Sequence, residues 1–198
     1  MFRDCNMFLI ALGANLSSDA GAPARTLTAA LSRLDDDGFT LSAVSRFYRS
    51  PAFPAGSGPD YVNACAALKA APGLTPKTVL AALHRVEDGL GRVRTERWQA
   101  RKIDLDLIAA GDALLPDAET HRSWRDLPLA RQMREVPAMP IVPHPRLQDR
   151  AFVLIPLAEI APHWRHPVIG KTVQEMLDAL PEDEKAALTP LSAPFGED

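Results

Sequence analysis

Two carboxylates lie two positions apart in a short apolar segment of the chain. The segment Ile103–Ala109 alternates in a way that predicts a β-strand, with Asp104 and Asp106 on one face and Leu105 on the other. Two acids on one side of a strand repel each other unless a cation compensates, and magnesium prefers carboxylate oxygens together with water and phosphate. The pair therefore indicates a magnesium site facing a polyphosphate. A solvated strand face, or ion pairs to nearby arginines, is the alternative, and two aspartates alone favour it.

Arginines cluster directly upstream of this acidic strand. Arg92, Arg94, Arg97 and Arg101 surround Trp98. Guanidinium groups match phosphate oxygens in bidentate fashion, and a tryptophan can pack against a flat base or close over a site. A solvated basic loop balanced by neighbouring acids is the alternative for the arginines alone. Basic loop and acidic strand together indicate a nucleotide-metal site.

Composition limits how such a site can hold phosphate and which partners it can have. The 198-residue chain has a net charge of -3 and a pI near 6.0, so it lacks the basic surface expected of a nucleic-acid-binding protein. It contains no G-x-x-x-x-G-K-[ST] motif, and the Gly-Ala-Asn of residues 13–15 is too short to cradle a phosphate. We therefore expect side chains and metal to hold the phosphates, and no nucleic-acid partner.

The cysteines and the first apolar run bear on the compartment. Cys5 and Cys65 are far apart and show neither metal-ligand nor disulfide-framework spacing. The run Met7–Leu12 is too short for a signal segment or a membrane span. We therefore expect a cytoplasmic protein that makes no membrane contact. A monomer is the expected state, with an oligomer as the alternative that the sequence leaves open.

The elements that must position the acidic strand follow from hydrophobic periodicity and capping signals. Thr75 and Pro76 are an N-cap and a first helical residue, and they predict a helix that ends near Gly91. The other predicted elements of the core are a strand at Met7–Gly13, a helix at Ala24–Leu34, and strands at Phe39–Tyr48, Tyr61–Leu68 and Ile103–Ala109. This order predicts an α+β fold with a ferredoxin-like βαββαβ core, a mainly antiparallel sheet with helices on one side, and extra C-terminal helices.

The second half of the chain is less regular. Residues 112–140 contain several prolines and little sustained periodicity, so we interpret them as an inserted excursion or lid. A short helix is predicted at Phe152–Ile160, and Thr172 with Glu175 forms a capping box ahead of another. We expect one domain over residues 1–180 and a loose tail over residues 181–198.

The acidic strand and the basic loop together resemble the signature of the 6-hydroxymethyl-7,8-dihydropterin pyrophosphokinase family. The matching residues are Gly91-Arg92-Val93-Arg94, Arg97-Trp98, Arg101 and Ile103-Asp104-Leu105-Asp106-Leu107. Further segments agree in the same order, namely residues 11–16, residues 45–51 continuing through 61–64, and residues 142–157. The similarity spans residues 7–180.

The resemblance implies an enzyme that transfers the β,γ-diphosphate of ATP to 6-hydroxymethyl-7,8-dihydropterin and releases AMP, in tetrahydrofolate biosynthesis. It implies two Mg²⁺ ions that bind with ATP and are held by Asp104 and Asp106. The implied catalytic residues are Arg92, Arg94, Trp98, Arg101, Asp104 and Asp106. The implied ATP-binding residues are Glu87, Arg94, Trp98, Arg101, Leu107, His144 and Arg150. Arg92 and Trp98 would belong to a catalytic loop that closes over the site.

The same resemblance implies a pterin site. Its residues are Ser50, Pro51, Phe53, Tyr61, Asn63, Asp104 and Phe152. A pterin is flat and edged with donors and acceptors, so a stacking surface and an amide suit it. Taken singly, Tyr61 and Phe152 can equally be core residues, and Asn63 can serve a neighbouring backbone. His144 can be an ordinary loop histidine, and Glu87 is most simply an acid on a helix surface.

Two other functions fit parts of the pattern. A metal-dependent nucleotidyltransferase would use the same acidic pair to transfer AMP in place of pyrophosphate. A ferredoxin-like RNA-binding module would use the basic loop and Trp98 for charge and stacking contacts. In that module Asp104 and Asp106 would face a phosphate backbone without reason, which counts against it.

Overall fold

The computed structural model describes residues 6–36, 38–52, 56, 58–91, 101–132 and 134–192. Six strands form one sheet, and they are β1 Met7–Ala14, β2 Thr40–Val44, β3 Tyr48–Ser50, β4 Tyr61–Lys69, β5 Asp104–Ala110 and β6 Thr189–Pro190. The helices in the described ranges are α1 Pro23–Asp36, α2 Pro76–Gly89, α3 Ala118–Arg125, α4 Leu129–Gln132, α5 Ala151–Ile160, α6 Val173–Asp178 and α7 Glu182–Ala186, with a short 3-10 helix at Leu147–Asp149. The predicted elements of the core are all present.

The sheet is antiparallel throughout, with the strand order β5-β1-β4-β3-β6 and with β2 also paired to β4. The single strand predicted at Phe39–Tyr48 is divided into β2 and β3. Ser45 explains the division, because its Oγ accepts the Cys65 N–H at 2.9 Å where a backbone carbonyl would otherwise pair. Both pieces still lie along β4, so the predicted antiparallel pairing is confirmed.

Side chains from the two sheet faces form two separate cores. On one face, alternate residues of β1, β4 and β5 pack against α1 and α2. On the other face, Leu9, Cys65, Ala67 and Ile108 pack against α5 and α6. Helices therefore cover both faces, because the C-terminal helices lie on the side that the βαββαβ pattern leaves open.

Two helix starts form as their sequences predict. Thr75 Oγ1 accepts the Thr78 N–H at 3.3 Å, and Thr78 Oγ1 accepts the Thr75 N–H at 2.8 Å. Thr172 and Glu175 exchange the same pair of bonds at 3.1 and 2.7 Å. These reciprocal bonds satisfy backbone donors that a first helical turn leaves open.

The irregular regions contain regular structure that the sequence did not predict. The excursion contains α3 and α4, which periodicity missed because these helices are short and His121 is the buried residue of α3. The tail is not loose as far as residue 192, since residues 182–186 are helical and Thr189 and Pro190 pair with β3. Within the described ranges, every helix is too short or too polar to cross a lipid bilayer.

Candidate functional site

The acidic pair lies on β5, at one edge of the sheet. Leu105 and Leu107 point into the core beneath α1 and α2, which turns Asp104 and Asp106 to the opposite face. Their side chains are 27% and 41% exposed, so both carboxylates reach solvent. The predicted strand and the predicted shared face of the two aspartates are confirmed.

Two arginines lie beside the acidic pair, one from before β5 in the sequence and one from after it. Arg101 Nη1 lies 2.7 Å from Asp104 Oδ1, and Arg150 Nη1 lies 3.8 Å from Asp106 Oδ2. Burial disfavours the charged form of Arg101, but the carboxylates of Asp104 and Asp106 outweigh this effect and raise its pKa. Burial lowers the pKa of Arg150, with Asp106 opposing the shift. Two enclosed cations therefore flank two carboxylates, an arrangement that suits a polyanion bound with metal.

The donor set of this face fits magnesium. Asp104 and Asp106 offer hard oxygen atoms on one side of one strand, and magnesium is commonly bound by one or two carboxylates, with water and substrate phosphates completing its octahedron. No cluster of three or more His, Cys, Asp or Glu side chains suited to a metal occurs among the described residues. The pair thus fits a metal that arrives with a nucleotide better than a permanent all-protein metal cage.

A gap in the sheet surface lies beside Asp104. Gly13 on β1 is directly opposite Asp104 on β5 and directly opposite Asn63 on β4. Directly opposed residues share a face, so Asn63, Gly13 and Asp104 form a row with no side chain at its centre. Ala11 occupies the next such position of β1. Both small residues are partly exposed although β1 is an interior strand, which leaves room for a flat molecule.

Polar and aromatic side chains border this gap. Asn63 Nδ2 donates to Ser50 Oγ at 2.8 Å, and both residues are buried. Tyr61 is half-buried, and its charge interactions with Arg101 and Asp104 place it near both. Phe152 is 38% exposed, so it is not a core residue. Its ring lies beneath the Arg150 guanidinium, whose carbon is 5.6 Å from the ring centroid.

Pro51 and Phe53 belong to the segment after β3. Pro51 is exposed at its start. Phe53 lies outside the described residues, as do Arg92, Arg94 and Trp98 of the basic loop. Their assignments stay predictions.

His144 lies behind the acidic pair, next to the free edge of β5. Its backbone N–H donates to Ile108 O at 2.9 Å, and its Nδ1 accepts the Arg146 N–H at 3.1 Å. Burial lowers the pKa of His144 well below its usual range, and the charge of Arg150 acts in the same direction. A neutral ring whose Nδ1 accepts must carry its proton on Nε2, so His144 can donate one hydrogen bond to an anion.

Glu87 differs from its simplest interpretation as a surface acid. It is fully buried, and its Oε1 accepts the Leu105 N–H of β5 at 2.8 Å. Leu107 has its side chain in the core, so any nucleotide contact must use its backbone. The backbone N–H and C=O of Leu107 point away from β1. These groups alternate in direction along a strand, and the groups of Leu105, two residues earlier, point toward Glu87.

Sequence reasoning missed Asn15, which joins two parts of the site. Its Oδ1 accepts the Arg101 N–H at 2.7 Å, and its Nδ2 donates to Pro59 O at 3.2 Å. Its own backbone N–H donates to Arg101 O at 3.0 Å. The available signal is an asparagine directly after a strand, within the segment 11–16 that matches the family. Asn15 ties the nucleotide side to the segment that precedes Tyr61.

The structure brings most described candidates to one place. Asp104 interacts electrostatically with Arg101, Tyr61, His144 and Arg150. Glu87 supports the same strand from the edge. Leu107 is the described candidate whose side chain points elsewhere. The arrangement can bind a metal-bearing polyphosphate on one side and a flat, hydrogen-bonding ring on the other.

The chain is similar in sequence to proteins of one known family. Residues 9–162 match the family 7,8-dihydro-6-hydroxymethylpterin-pyrophosphokinase (HPPK). A Pseudomonas aeruginosa protein named 2-amino-4-hydroxy-6-hydroxymethyldihydropteridine pyrophosphokinase is 38% identical over 173 residues, which cover 87% of this chain and 90% of that protein. A Synechocystis protein with the same name is 34% identical over 177 residues, covering 89% of this chain and 77% of that protein.

Solved structures share the fold. A crystal structure of wild-type Plasmodium falciparum HPPK-DHPS gives a TM-score of 0.60 at 13% identity, covering 87% of this chain and 40% of that one. A second, of the wild type with SDX-DHP, gives 0.58 at 13% identity and covers 87% of this chain and 43% of that one. The chain thus spans less than half the length of these solved chains, and the likeness concerns the mixed α/β fold with its antiparallel sheet.

Proposed function

The chain belongs to the 7,8-dihydro-6-hydroxymethylpterin-pyrophosphokinase family, and from this premise we propose its reaction. It transfers the β,γ-diphosphate of ATP to the hydroxymethyl group of 6-hydroxymethyl-7,8-dihydropterin and releases AMP, a step of folate biosynthesis. One observation carries the proposal: Asp104, flanked by Arg101, lies directly beside the partly exposed Gly13, which has Asn63 on its other side. Metal-phosphate chemistry and a flat acceptor can meet there.

The nucleotide side would use the carboxylates and the cations. Asp104 and Asp106 would hold two Mg²⁺ ions, which when bound neutralise phosphate charge and orient the reacting groups. Arg101 and Arg150 would move from their carboxylate partners toward phosphate oxygens. His144 would donate its Nε2–H to the nucleotide. Positioning and charge neutralisation supply most of the catalysis in phosphoryl transfer, so this set of residues is sufficient in kind.

The remaining nucleotide contacts follow from the family pattern. Arg92, Arg94 and Trp98 would complete the site from the basic loop, with Arg92 and Trp98 in the part that closes over it. Glu87 would act by fixing the edge of β5 through Leu105, and Leu107 would act through its backbone.

The pterin side would use the gap over Gly13. Asn63, held by Ser50, can present its amide to the edge of the ring, with Tyr61 and Phe152 as aromatic surfaces. Pro51 and Phe53 would close the same side, and Asp104 would lie between pterin and metal. An amide suits a pterin edge because it offers both a donor and an acceptor.

The strand order supports a ferredoxin-like interpretation of the fold. When β2 and β3 are counted as one interrupted strand, the core has the βαββαβ order. Its four strands then lie side by side in the order β5, β1, β4 and β2/β3, with all neighbours antiparallel. We extend the proposal to a single pyrophosphokinase domain over residues 1–180 with residues 112–140 inserted. A cytoplasmic monomer without nucleic-acid or membrane partners completes it.

The nucleotide product tests the reaction. Incubating the chain with ATP, magnesium and 6-hydroxymethyl-7,8-dihydropterin should give AMP and the pterin diphosphate in equal amounts. An ordinary kinase would give ADP, and a nucleotidyltransferase would release pyrophosphate and leave the adenylyl group on its acceptor. One chromatographic separation distinguishes the three. Stoichiometric ADP, or ATP consumption that does not depend on pterin, would overturn the proposal.

A further inference from the structure

Three contacts hold the segment that carries His144, and two of them come from the excursion, through Leu115 and His121. Val142 pairs with Leu115 through two backbone bonds of 3.1 and 2.8 Å, and the His144 N–H is bound by Ile108 O. Pro143 has no N–H, so its carbonyl is its one backbone hydrogen-bonding group. That carbonyl is 2.9 Å from Nε2 of His121, on α3. Of these contacts, the one from His121 is made by a side chain, whereas the others join backbone groups.

The protonation state of His121 follows from its partner. A carbonyl can only accept, so Nε2 must carry the proton, and Nδ1 is a bare acceptor without a hydrogen-bond partner among the described residues. The ring is fully buried, and burial lowers its pKa. Arg125 acts in the same direction and Asp126 opposes it. His121 is therefore a neutral donor aimed at the residue that precedes His144.

A second histidine fixes the ring of His121 from behind. His166 packs edge to face against it with centroids 5.4 Å apart, and Trp164 packs against His166 at 5.7 Å. Trp164 Nε1 donates to Gly111 O at 2.8 Å, at the point where the chain leaves β5. The excursion is thus attached near its start through Gly111 and in its middle through His121.

We propose that His121, through its hydrogen bond to the Pro143 carbonyl, is a positioning residue that orients His144 for the nucleotide. The inference rests on the nucleotide role proposed above for His144. The excursion then supports the nucleotide side of the site from behind and does not act as a lid. On the pterin side, by contrast, Asn63 and Ser50 are bonded to each other across β4 and β3, outside the excursion.

Two polar variants of His121 separate positioning from packing. In His121→Gln the amide nitrogen lies as many bonds from the backbone as Nε2, so it can still donate to Pro143. In His121→Asn the amide is one bond shorter and cannot reach it. Losing one buried hydrogen bond should weaken binding of magnesium and a nonhydrolysable ATP analogue about threefold to tenfold in His121→Asn. His121→Gln should stay within about twofold of wild type. Pterin affinity should change less than about twofold in both variants.

A double-mutant cycle with His144→Ala completes the test. If His121 acts through His144, His121→Asn should add less than about twofold to the loss already caused by His144→Ala. Independent, multiplying losses would overturn the inference, as would equal losses for ATP analogue and pterin accompanied by a lower melting temperature. A His144→Ala variant with wild-type nucleotide affinity would remove the premise and the inference together. A wild-type chain that forms no AMP would instead refute the proposed reaction, so the two failures are distinguishable.

Discussion

The sheet face toward α5 has two halves that are built from the same three strands. One half lies beneath α5 and α6 and is made of Leu9, Cys65, Ala67 and Ile108, which are all buried. The other half begins at Ala11 and is left partly exposed by the described part of the chain. Two residues along a strand are therefore enough to pass from core to candidate site.

The two halves differ in whether water is excluded from their side chains. In the buried half the helices remove water, so apolar side chains stabilise the fold and a polar group would lose hydrogen bonds. In the partly exposed half Asp104 and Gly13 keep a carboxylate and empty space available for a ligand, with the buried amide of Asn63 at the border. Substitutions in the two halves should therefore separate activity from stability, and the following predictions test that separation in order of expected size.

The largest effect is expected at the acidic pair. Asp104→Ala or Asp106→Ala should lower kcat/KM at least about a thousandfold, or about 4 kcal/mol, because the metal that holds the phosphates loses a carboxylate ligand. The free energy of unfolding should change by less than about 1 kcal/mol, since the carboxylates reach solvent and exposed ion pairs contribute little. Steady-state kinetics and urea unfolding measure the two quantities. Near-normal magnesium-dependent activity with a normal unfolding curve would show that the metal assignment is wrong.

Ile108, two residues after Asp106, should behave in the opposite way. It is fully buried, so Ile108→Ala should lower the free energy of unfolding by about 2–4 kcal/mol through lost burial and a cavity. The kcat of the folded fraction should stay within about twofold of wild type, because the backbone carbonyl bound by His144 is kept. Ile108→Val, with a smaller loss of about 1 kcal/mol, is the matched control. A stable variant with lost activity would contradict the division into two halves.

Substitution of Asn15 should affect both activity and stability, since Asn15 joins Arg101 of the site to the segment before Tyr61. Asn15→Ala leaves the Arg101 N–H and the Pro59 carbonyl without their partner, so we expect about 1–3 kcal/mol of lost stability and roughly tenfold lower kcat/KM. Asn15→Asp keeps the acceptor for Arg101 and loses the donor to Pro59. It should therefore recover much of the activity. Equal kinetics for Asn15→Ala and Asn15→Asp would show that the lost hydrogen bond to the Pro59 carbonyl causes the effect.

Gly13 should show a smaller effect, with opposite signs for stability and binding. A methyl group added here would lie 3.4 Å from Asn63 Oδ1 and would fill the gap. Gly13→Ala should raise KM for the pterin by several-fold, about 1 kcal/mol, and leave KM for ATP unchanged. Stability should rise by up to about 1 kcal/mol, because alanine loses less backbone entropy in a strand than glycine. An unchanged KM for the pterin would show that the pterin does not bind over this part of the sheet.

The smallest effect concerns pH and the region behind the site. Burial, assisted by His121 and Arg125, lowers the pKa of His166 to about 4 in the folded protein, against about 6.5 in an unfolded chain. The unfolded state therefore binds more protons below pH 6.5, so stability should be full above that pH and fall as the pH drops toward 4. Thermal melts over this range should show a decline that His166→Asn reduces. An unchanged decline in that variant would assign the effect to His121 and His144, whose pKa values are also lowered.

The sequence alone determined the order of the core strands and helices, the shared face of Asp104 and Asp106, and the family. Those properties are local, because alternation, capping and short motifs depend on neighbours within a few residues. The sequence could not distinguish Glu87 from a surface acid, or Phe152 from a core residue, because exposure depends on which distant segment packs on each side chain. Helix α3 escaped notice because it spans eight residues and its buried residue, His121, is polar.

Only the tertiary structure decided which candidates meet. Gly13 lies between Asn63 and Asp104 because β4 and β5 pair with β1 in one register, which residues far apart in the chain set together. Asn15 reaches Arg101, and His121 reaches Pro143, across chain separations that no periodic pattern records. Such contacts form when the sheet and its helices assemble, since their donors and acceptors then lose water and must bind each other.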